Sequence, residues 1–288
     1  MEIKRVGVVG CGIMGSGITQ VCAQSGYEVV VSDVNEERLK KGLASIDKTL
    51  AKSVEKGKLS QQSKESILSR IKTTVSTTDF SGFSNCDFMI EAVTEDMSIK
   101  KNVFAMIDKV CPGHIIFATN TSTLSVINLA ATTKKPDKVM GMHFFNPAPI
   151  MQLVEIVRTI ATSDETIGVG KEFAKSLSKT SVIAKDIEGF IANRLTTTFF
   201  LTAIRMVEAN FATAEDIDKA MCLGYNHPMG PLALLDLIGL DTFLLGISSM
   251  YEETKDSQFA PPTLLKKMVA AGWFGRKTGK GFHQYNPN

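Results

Sequence analysis

The sequence predicts an α/β fold: a mostly parallel sheet covered by helices on both faces, followed by an all-α C-terminal domain. Three observations carry this. Strand and helix signals alternate through the first part of the chain, the pattern of a parallel sheet with crossover helices. A glycine-rich turn joins the first strand to the first helix. Beyond Asp186-Ile187-Glu188-Gly189 the strand signal stops and helical patterns take over.

Val6-Gly7-Val8-Val9 reads as a buried strand, and Gly10-Cys11-Gly12-Ile13-Met14-Gly15 follows it directly. Ile18, Val21 and Cys22 then continue at helical spacing. Gly10 permits the tight turn, Gly12 lets a pyrophosphate approach the backbone, and Gly15 lets the helix lie close to the strand. The first N–H groups of that helix have no internal partners, and its dipole favours an anion. Tyr27-Glu28-Val29-Val30-Val31-Ser32-Asp33 is a second strand. Its terminal carboxylate stands about 20 residues past the glycines, where it can accept hydrogen bonds from the adenosine ribose hydroxyls and repel a 2′-phosphate. Strand, turn, helix and acid in this order describe a Rossmann-type nucleotide domain, with Gly10, Gly12, Ile13, Met14, Gly15 and Asp33 as cofactor-binding residues and NAD as the expected cofactor. Arg38 lies a few residues on and can turn toward a phosphate, which leaves NADP open.

A long polar helix is expected over 36–56, with Leu39, Leu43, Ile46 and Leu50 on one face, and a second helix over 60–71. Extended segments follow at 72–75 and, nearly all apolar, at 87–93. A helix over 98–110 ends at Cys111-Pro112-Gly113. Strands at 115–120, 139–145, 153–157 and 181–184, with a helix over 164–178, complete a first domain expected to span 1–186. The close spacing of two of these strands leaves room for one antiparallel pair. The second domain, 187–288, is expected to hold helices over 190–211, 214–223 and 231–251. Ile191, Leu195, Phe199, Phe200, Ile204 and Val207 cover much of the first helix's circumference, so it should be buried on several sides. In a domain of about 100 residues such burial often needs another subunit. A homodimer through this domain is expected; the alternative is a monomeric helical cap packed on the sheet.

Size and composition narrow the function classes. The chain has 288 residues, 44% hydrophobic and 22% charged, with a net charge of +2, which argues against a general nucleic-acid or membrane-surface binder. No apolar run approaches the length of a membrane span. The 5 cysteines are widely spaced and form no C-x-x-C, which points away from a structural metal or disulfide framework and toward a reducing compartment. The first strand begins almost at Met1, so no signal or transit peptide is expected, and a cytoplasmic setting is the simplest reading.

The chemistry-bearing stretch is Gly141-Met142-His143-Phe144-Phe145-Asn146-Pro147-Ala148-Pro149, followed by Glu155 in the next strand. His143 falls at a strand end, where such sheets place their ligands. If the prolines turn the chain back, the two strands pair and the carboxylate meets the imidazole. Such a pair is an acid–base device, because the carboxylate fixes the tautomer and stabilises the imidazolium. The same pattern fits a core histidine with a satisfied hydrogen bond. Thr119-Asn120-Thr121-Ser122-Thr123 ends another strand; its hydroxyls can orient an alcohol or carbonyl oxygen, or cap a helix before Leu124. Asn193 lies near a helix start, where an amide polarises a carbonyl or simply bonds locally. Lys48, Lys52 and Lys56 share one helix face that suits the phosphates of a polyanionic substrate, and equally suits solvent.

With these residues in view, the chain resembles the L-3-hydroxyacyl-CoA dehydrogenase family, and within it the free-standing bacterial 3-hydroxybutyryl-CoA enzymes. The resemblance runs from the first strand to the end. It rests on Gly10–Gly15 with Met14, Asn120-Thr121-Ser122, His143-Phe144-Phe145-Asn146-Pro147, and Gly189-Phe190 with Asn193-Arg194. His227-Pro228-Met229-Gly230-Pro231 and Gly275-Arg276-Lys277-Thr278-Gly279-Lys280-Gly281-Phe282 complete it. It implies an NAD-dependent oxidation of L-3-hydroxyacyl-CoA to 3-ketoacyl-CoA and the reverse, with acetoacetyl-CoA and 3-hydroxybutyryl-CoA as the expected pair. His143 would be the general base and Glu155 its partner. Ser122 and Asn193 would bind the reacting oxygen or the thioester carbonyl. Glu95, Lys100, Asn120, Asn146 and Lys277 would contact or order NAD, and Thr49 and Lys56 would contact CoA. His227 is expected to be structural, and His114 and His283 carry no motif. Cys11 stands where alanine is commoner, Thr123 where a second serine is usual, and Glu188 where a proline usually precedes Gly189-Phe190; the last removes a rigid residue from the expected hinge. Two alternatives remain at this point: a dehydrogenase for another small hydroxy acid, and a non-catalytic NAD-binding protein.

Overall fold

The computed structural model describes residues 2–76 and 78–285. The chain divides into two compact units, Met1–Ile187 and Glu188–Asn288.

The first unit runs β1 (Arg5–Val9), α1 (Ile13–Gln24), β2 (Glu28–Asp33), α2 (Glu36–Glu55), α3 (Gln61–Ser69), β3 (Ile71–Val75), β4 (Phe88–Glu91), α4 (Met97–Val110), β5 (Ile116–Thr119), α5 (Val126–Ala130), β6 (Val139–Phe144), β7 (Leu153–Arg158), α6 (Asp164–Ser176) and β8 (Thr180–Lys185). The sheet has 8 strands in the order β3-β2-β1-β4-β5-β6-β7-β8. β4, β5 and β6 are buried at every position, as their apolar runs require in a sheet covered on both faces. Phe88 of β4 stacks on Phe173 of α6 with ring centroids 4.4 Å apart, which fixes one helical layer on the sheet. Asn35 caps α2 by accepting from the Arg38 N–H, and Glu36 and Glu37 complement its dipole. Leu39, Ile46 and Leu50 turn inward, while Lys48, Lys52 and Lys56 are exposed.

Every neighbouring pair from β3 to β6 is parallel, so their C-terminal ends share one edge. The register places Val9 beside Glu91, Glu91 beside Thr119, and Thr119 beside Gly141. Side chains alternate along a strand, so His143 points to the same face as these positions. β6 and β7 are antiparallel, the one reversal in a sheet whose last pair, β7 with β8, is again parallel.

The second unit consists of α7 (Ala192–Glu208), α8 (Ala214–Tyr225), α9 (Pro231–Ile238), α10 (Leu240–Thr254) and α11 (Thr263–Ala270). Its core gathers Phe200, Leu201, Ile204, Leu232, Leu235, Phe243, Ile247 and Phe259. The single helix expected over 231–251 is two helices, bent by 96° at Gly239. Gly239 has φ +103°, outside the helical region, and its N–H still closes the last turn of α9 on Leu235. Apolar residues continue across the break because both helices pack on the same core. No single helix among the described residues is long and apolar enough to cross a membrane.

Two buried aspartates hold this unit together. Asp218 of α8 caps α9 by accepting from Leu232 N (2.8 Å) and Ala233 N (2.9 Å), and it takes His283 Nε2 at 2.7 Å. Asp236 of α9 is 1% exposed and receives Phe282 N (3.0 Å), His283 N (2.9 Å) and Tyr285 Oη (3.0 Å) from the C-terminal segment. Burial first, then the Asp236 charge, pushes the Tyr285 hydroxyl up to about 12. Hydrogen bonds to a charged group contribute about 1.5–3 kcal/mol each. Asp236→Ala is therefore expected to destabilise this unit by at least about 3 kcal/mol, visible as an earlier thermal or urea transition. An unchanged midpoint would show that the segment contributes nothing.

Candidate active site at the sheet edge

The glycine turn is built as the spacing requires. Gly10 has φ +98°, and a Cβ there would overlap the Ala92 carbonyl; a Cβ on Gly15 would overlap the Gly10 carbonyl. Around Gly12 nothing lies within 4 Å of a Cβ position, so the backbone is open to a ligand. Gly12 is the N-cap of α1, no side chain caps the helix, and no acid stands in its first turn. Ile13 lies exposed beside it, and half-buried Met14 packs toward the core. Uncapped N–H groups beside an open glycine form a site for a diphosphate. At the end of β2, Asp33 accepts Cys11 N at 2.8 Å and Val34 N at 2.7 Å, one on each oxygen. A carboxylate so held keeps lone pairs for ribose hydroxyls. The residues present therefore fit a dinucleotide. Cys11 is accommodated because Gly42 of α2 leaves its side chain room. Burial, then the Asp33 charge, pushes the Cys11 thiol up to about 11, so it is a packing group.

On the same face of the sheet, the β6–β7 register sets His143 opposite Glu155. Nδ1 of His143 lies 2.7 Å from Oε2 of Glu155, with the residues 6% and 0% exposed. A buried carboxylate at that distance selects the tautomer with the proton on Nδ1. The Phe145 ring packs at 4.5 Å and fixes the imidazole plane. Asn120 links two strand ends: its N–H donates to Glu91 O (2.8 Å), and its Oδ1 accepts Phe144 N (2.9 Å).

Glu95 holds the Ser122 turn. One of its oxygens accepts from Ser122 N (3.0 Å), Thr123 N (3.4 Å) and the Thr121 hydroxyl. The other lies 3.3 Å from Lys100 Nζ. Burial pushes the Glu95 carboxyl up, but the Lys100 charge and the hydrogen bonds from Thr121 and Ser122 outweigh it and hold it below the ordinary value. Lys100 is 1% exposed, so it meets these carboxylates inside the protein. The hydroxyl cluster does not cap the next helix. Thr121 Oγ1 closes a turn on Leu124 N (2.9 Å), and α5 is capped by Asp186, which takes Val126 N (2.8 Å) and Ile127 N (2.7 Å).

Among the remaining candidates, Asn146 is exposed and precedes Pro147 in a cis peptide. Lys179 Nζ clamps the following turn through Ala148 O (2.7 Å) and Met151 O (2.8 Å). Thr49 is half-buried on α2 and donates to Ser45 O at 2.9 Å; Lys56 is the exposed C-cap of that helix. In the second unit, Asn193 is half-buried in the first turn of α7, just after Gly189 (φ +78°) and Phe190 (φ +47°). Lys277 ion-pairs with Asp241 at 2.5 Å, a hydrogen bond that holds the Asp241 carboxyl below its usual range. His227 packs its ring against Phe199, in keeping with a structural role.

Two family models cover the chain almost end to end: 3-hydroxyacyl-CoA dehydrogenase, NAD binding domain, over residues 5–187, and 3-hydroxyacyl-CoA dehydrogenase, C-terminal domain, over 189–285. The chain belongs to the 3-hydroxyacyl-CoA dehydrogenase family. As a member it is an oxidoreductase built on an NAD-binding domain. It is 45% identical over 285 residues to the 3-hydroxybutyryl-CoA dehydrogenase of Mycobacterium tuberculosis, covering 98% of this chain and 99% of that one. It is 42% identical to the mitochondrial hydroxyacyl-coenzyme A dehydrogenase of Sus scrofa, covering 98% and 91%. The crystal structure of (S)-3-hydroxybutyryl-CoA dehydrogenase from Ralstonia eutropha is similar with a TM-score of 0.96 at 40% identity, covering 99% of this chain and 100% of that one.

Sequence reasoning missed the roles of Glu91, Asp186, Asp218 and Asp236. Each is a buried or half-buried acid with at least one partner from another element of its unit. A carboxylate ending an apolar strand, as Glu91 does, is the one signal that was present.

Proposed function

We propose that this 3-hydroxyacyl-CoA dehydrogenase interconverts 3-hydroxybutyryl-CoA and acetoacetyl-CoA with NAD, using His143 as general acid and base. The observation that carries this is the buried His143–Glu155 pair, 2.7 Å apart, on the sheet face where the parallel strands end. Bound NAD supplies the hydride acceptor, and in its reduced form the donor. Gly10, Gly12, Ile13, Met14 and Gly15 hold its diphosphate, and Asp33 its ribose. Glu95, Lys100, Asn120, Asn146 and Lys277 contact or order it.

In oxidation, His143 Nε2 takes the proton of the substrate hydroxyl, and Glu155 stabilises the imidazolium that forms. In reduction, the imidazolium returns the proton to the carbonyl oxygen. Ser122 and Asn193 hold that oxygen or the thioester carbonyl, a role they take from the resemblance. The exposed lysines of α2 meet the phosphates of CoA, with Thr49 and Lys56 among the contacts. Preference for NAD over NADP rests on Asp33, which is 8% exposed and too firmly held to withdraw from a 2′-phosphate. The second unit exposes Leu195 (69%), Phe211 (76%), Leu223 (85%) and Leu245 (76%), large apolar side chains that a homodimer through this unit would cover. Sedimentation as a monomer at micromolar concentration would exclude that dimer. A reducing, cytoplasmic setting accords with the free thiols of Cys11, Cys22, Cys86 and Cys111, all buried.

The test is an assay with acetoacetyl-CoA, longer 3-ketoacyl-CoA substrates, NADH and NADPH. Loss of NADH absorbance with the four-carbon substrate is expected; cofactor binding without turnover on any of them refutes the reading. The same assay examines the proton's route. Reduction consumes the imidazolium and oxidation the neutral ring. Reduction should therefore peak at lower pH than oxidation, and coincident profiles would assign the proton to another group.

A further inference from the structure

We propose that Glu91 is a positioning residue for this reaction: through Lys100 it sets the place of the Glu95 carboxylate, and so of the turn that carries Ser122. The inference rests on the substrate-binding role given to Ser122 above.

Glu91 closes β4 with a side chain 1% exposed. Its Oε1 accepts Lys100 Nζ at 2.6 Å and Val93 N at 2.7 Å, and its Oε2 accepts the Thr119 hydroxyl at 2.7 Å. Four segments thus meet on one carboxylate: the end of β4, the loop after it, α4 and the end of β5. Lys100 spends its single charge on two acids, with Glu91 at 2.6 Å and Glu95 at 3.3 Å. The unequal distances matter. Glu91 holds the ammonium most closely, and Glu95 is left with an oxygen directed at Thr121, Ser122 and Thr123.

Neutralising Glu91 removes the stronger competitor. A buried ammonium then pairs fully with the one carboxylate that remains, since an unpaired charge at such depth is costly. Glu95 shifts toward Lys100, and the Ser122 N–H loses its acceptor. A second route from Glu91 leads to the same place. Its Oε2 orients Thr119, whose Oγ1 accepts the Thr121 N–H at 3.2 Å. Both routes converge on the residues around Ser122, and neither passes through the glycine turn or Asp33. Glu91 is thereby predicted to act on kcat more than on cofactor affinity, which it reaches only through Lys100 and Glu95.

A double-mutant cycle on acetoacetyl-CoA reduction tests this, with E91Q, S122A and E91Q/S122A. Expected are a fall in kcat of about tenfold or more for each single variant, a smaller change in KM for NADH than in kcat, and a double variant no slower than S122A by more than about twofold. E91Q at wild-type kcat, or effects that multiply in the double variant, overturn the proposal while leaving Ser122 in its role. S122A at wild-type kcat overturns the Ser122 reading and the proposal with it. If E91Q does not fold, E91Q/K100M removes both buried charges, and the cycle is run between that pair and S122A. Non-additivity there supports the proposal, and multiplication overturns it.

Discussion

Replacing His143 by glutamine is expected to lower turnover by about 100- to 10,000-fold while leaving NADH binding near that of the wild type. The reason is local. The glutamine side chain fills similar space and can still bond to Glu155, but an amide neither takes nor gives a proton near neutral pH. Asp33 is held by the Cys11 and Val34 N–H groups, and the glycine turn is shaped by its own backbone, so nucleotide affinity has no cause to change. Turnover is read from NADH absorbance with acetoacetyl-CoA, and binding from NADH fluorescence. A His143→Gln enzyme within about tenfold of wild type would mean that another group moves the proton.

Glu155→Gln is the second large effect, expected at about 100-fold or more on kcat in both directions. The carboxylate only accepts, so it selects the ring with its proton on Nδ1. An amide can donate to Nδ1 instead, which moves the proton to Nε2, the atom proposed as base. It also leaves the imidazolium without this counter-charge in a site where both residues are buried. In the proposed mechanism the two residues act as one device, so His143→Gln/Glu155→Gln should be about as slow as His143→Gln alone. Losses that multiply would show independent roles, and a Glu155→Gln enzyme within about threefold of wild type would leave the carboxylate without a catalytic part.

The elements readable from sequence are those whose determinants are close together in the chain. The glycine turn and Asp33 lie within a single strand–helix–strand segment. His143 and Glu155 sit on adjacent strands joined by a short loop, so the alternation of side chains and the prolines between them pointed to the contact, while the role of the pair came from the resemblance. What escaped involves contacts between distant residues. Asp186 caps a helix that starts 59 to 60 positions earlier, and Thr119 donates to an acid 28 positions away. Local pattern carries no trace of either. The bend at Gly239 escaped for another reason: apolar residues on both sides bury in the same core, so their spacing mimics one continuous helix. A glycine inside that run was the only mark. The family resemblance supplied roles for Ser122 and Asn193, but it did not reveal that Glu95 spends one oxygen on the Ser122 turn.

The strand reversal between β6 and β7 has a consequence for how this chemistry is encoded. Parallel neighbours need a crossover of a dozen or more residues, whereas an antiparallel pair closes through a short loop. His143 and Glu155 therefore come from one uninterrupted stretch of chain, and they face each other only in a single alignment. A slip of one residue would send Glu155 to the opposite side of the sheet. Deleting one residue inside either strand is thus expected to part the pair even where the sheet still forms.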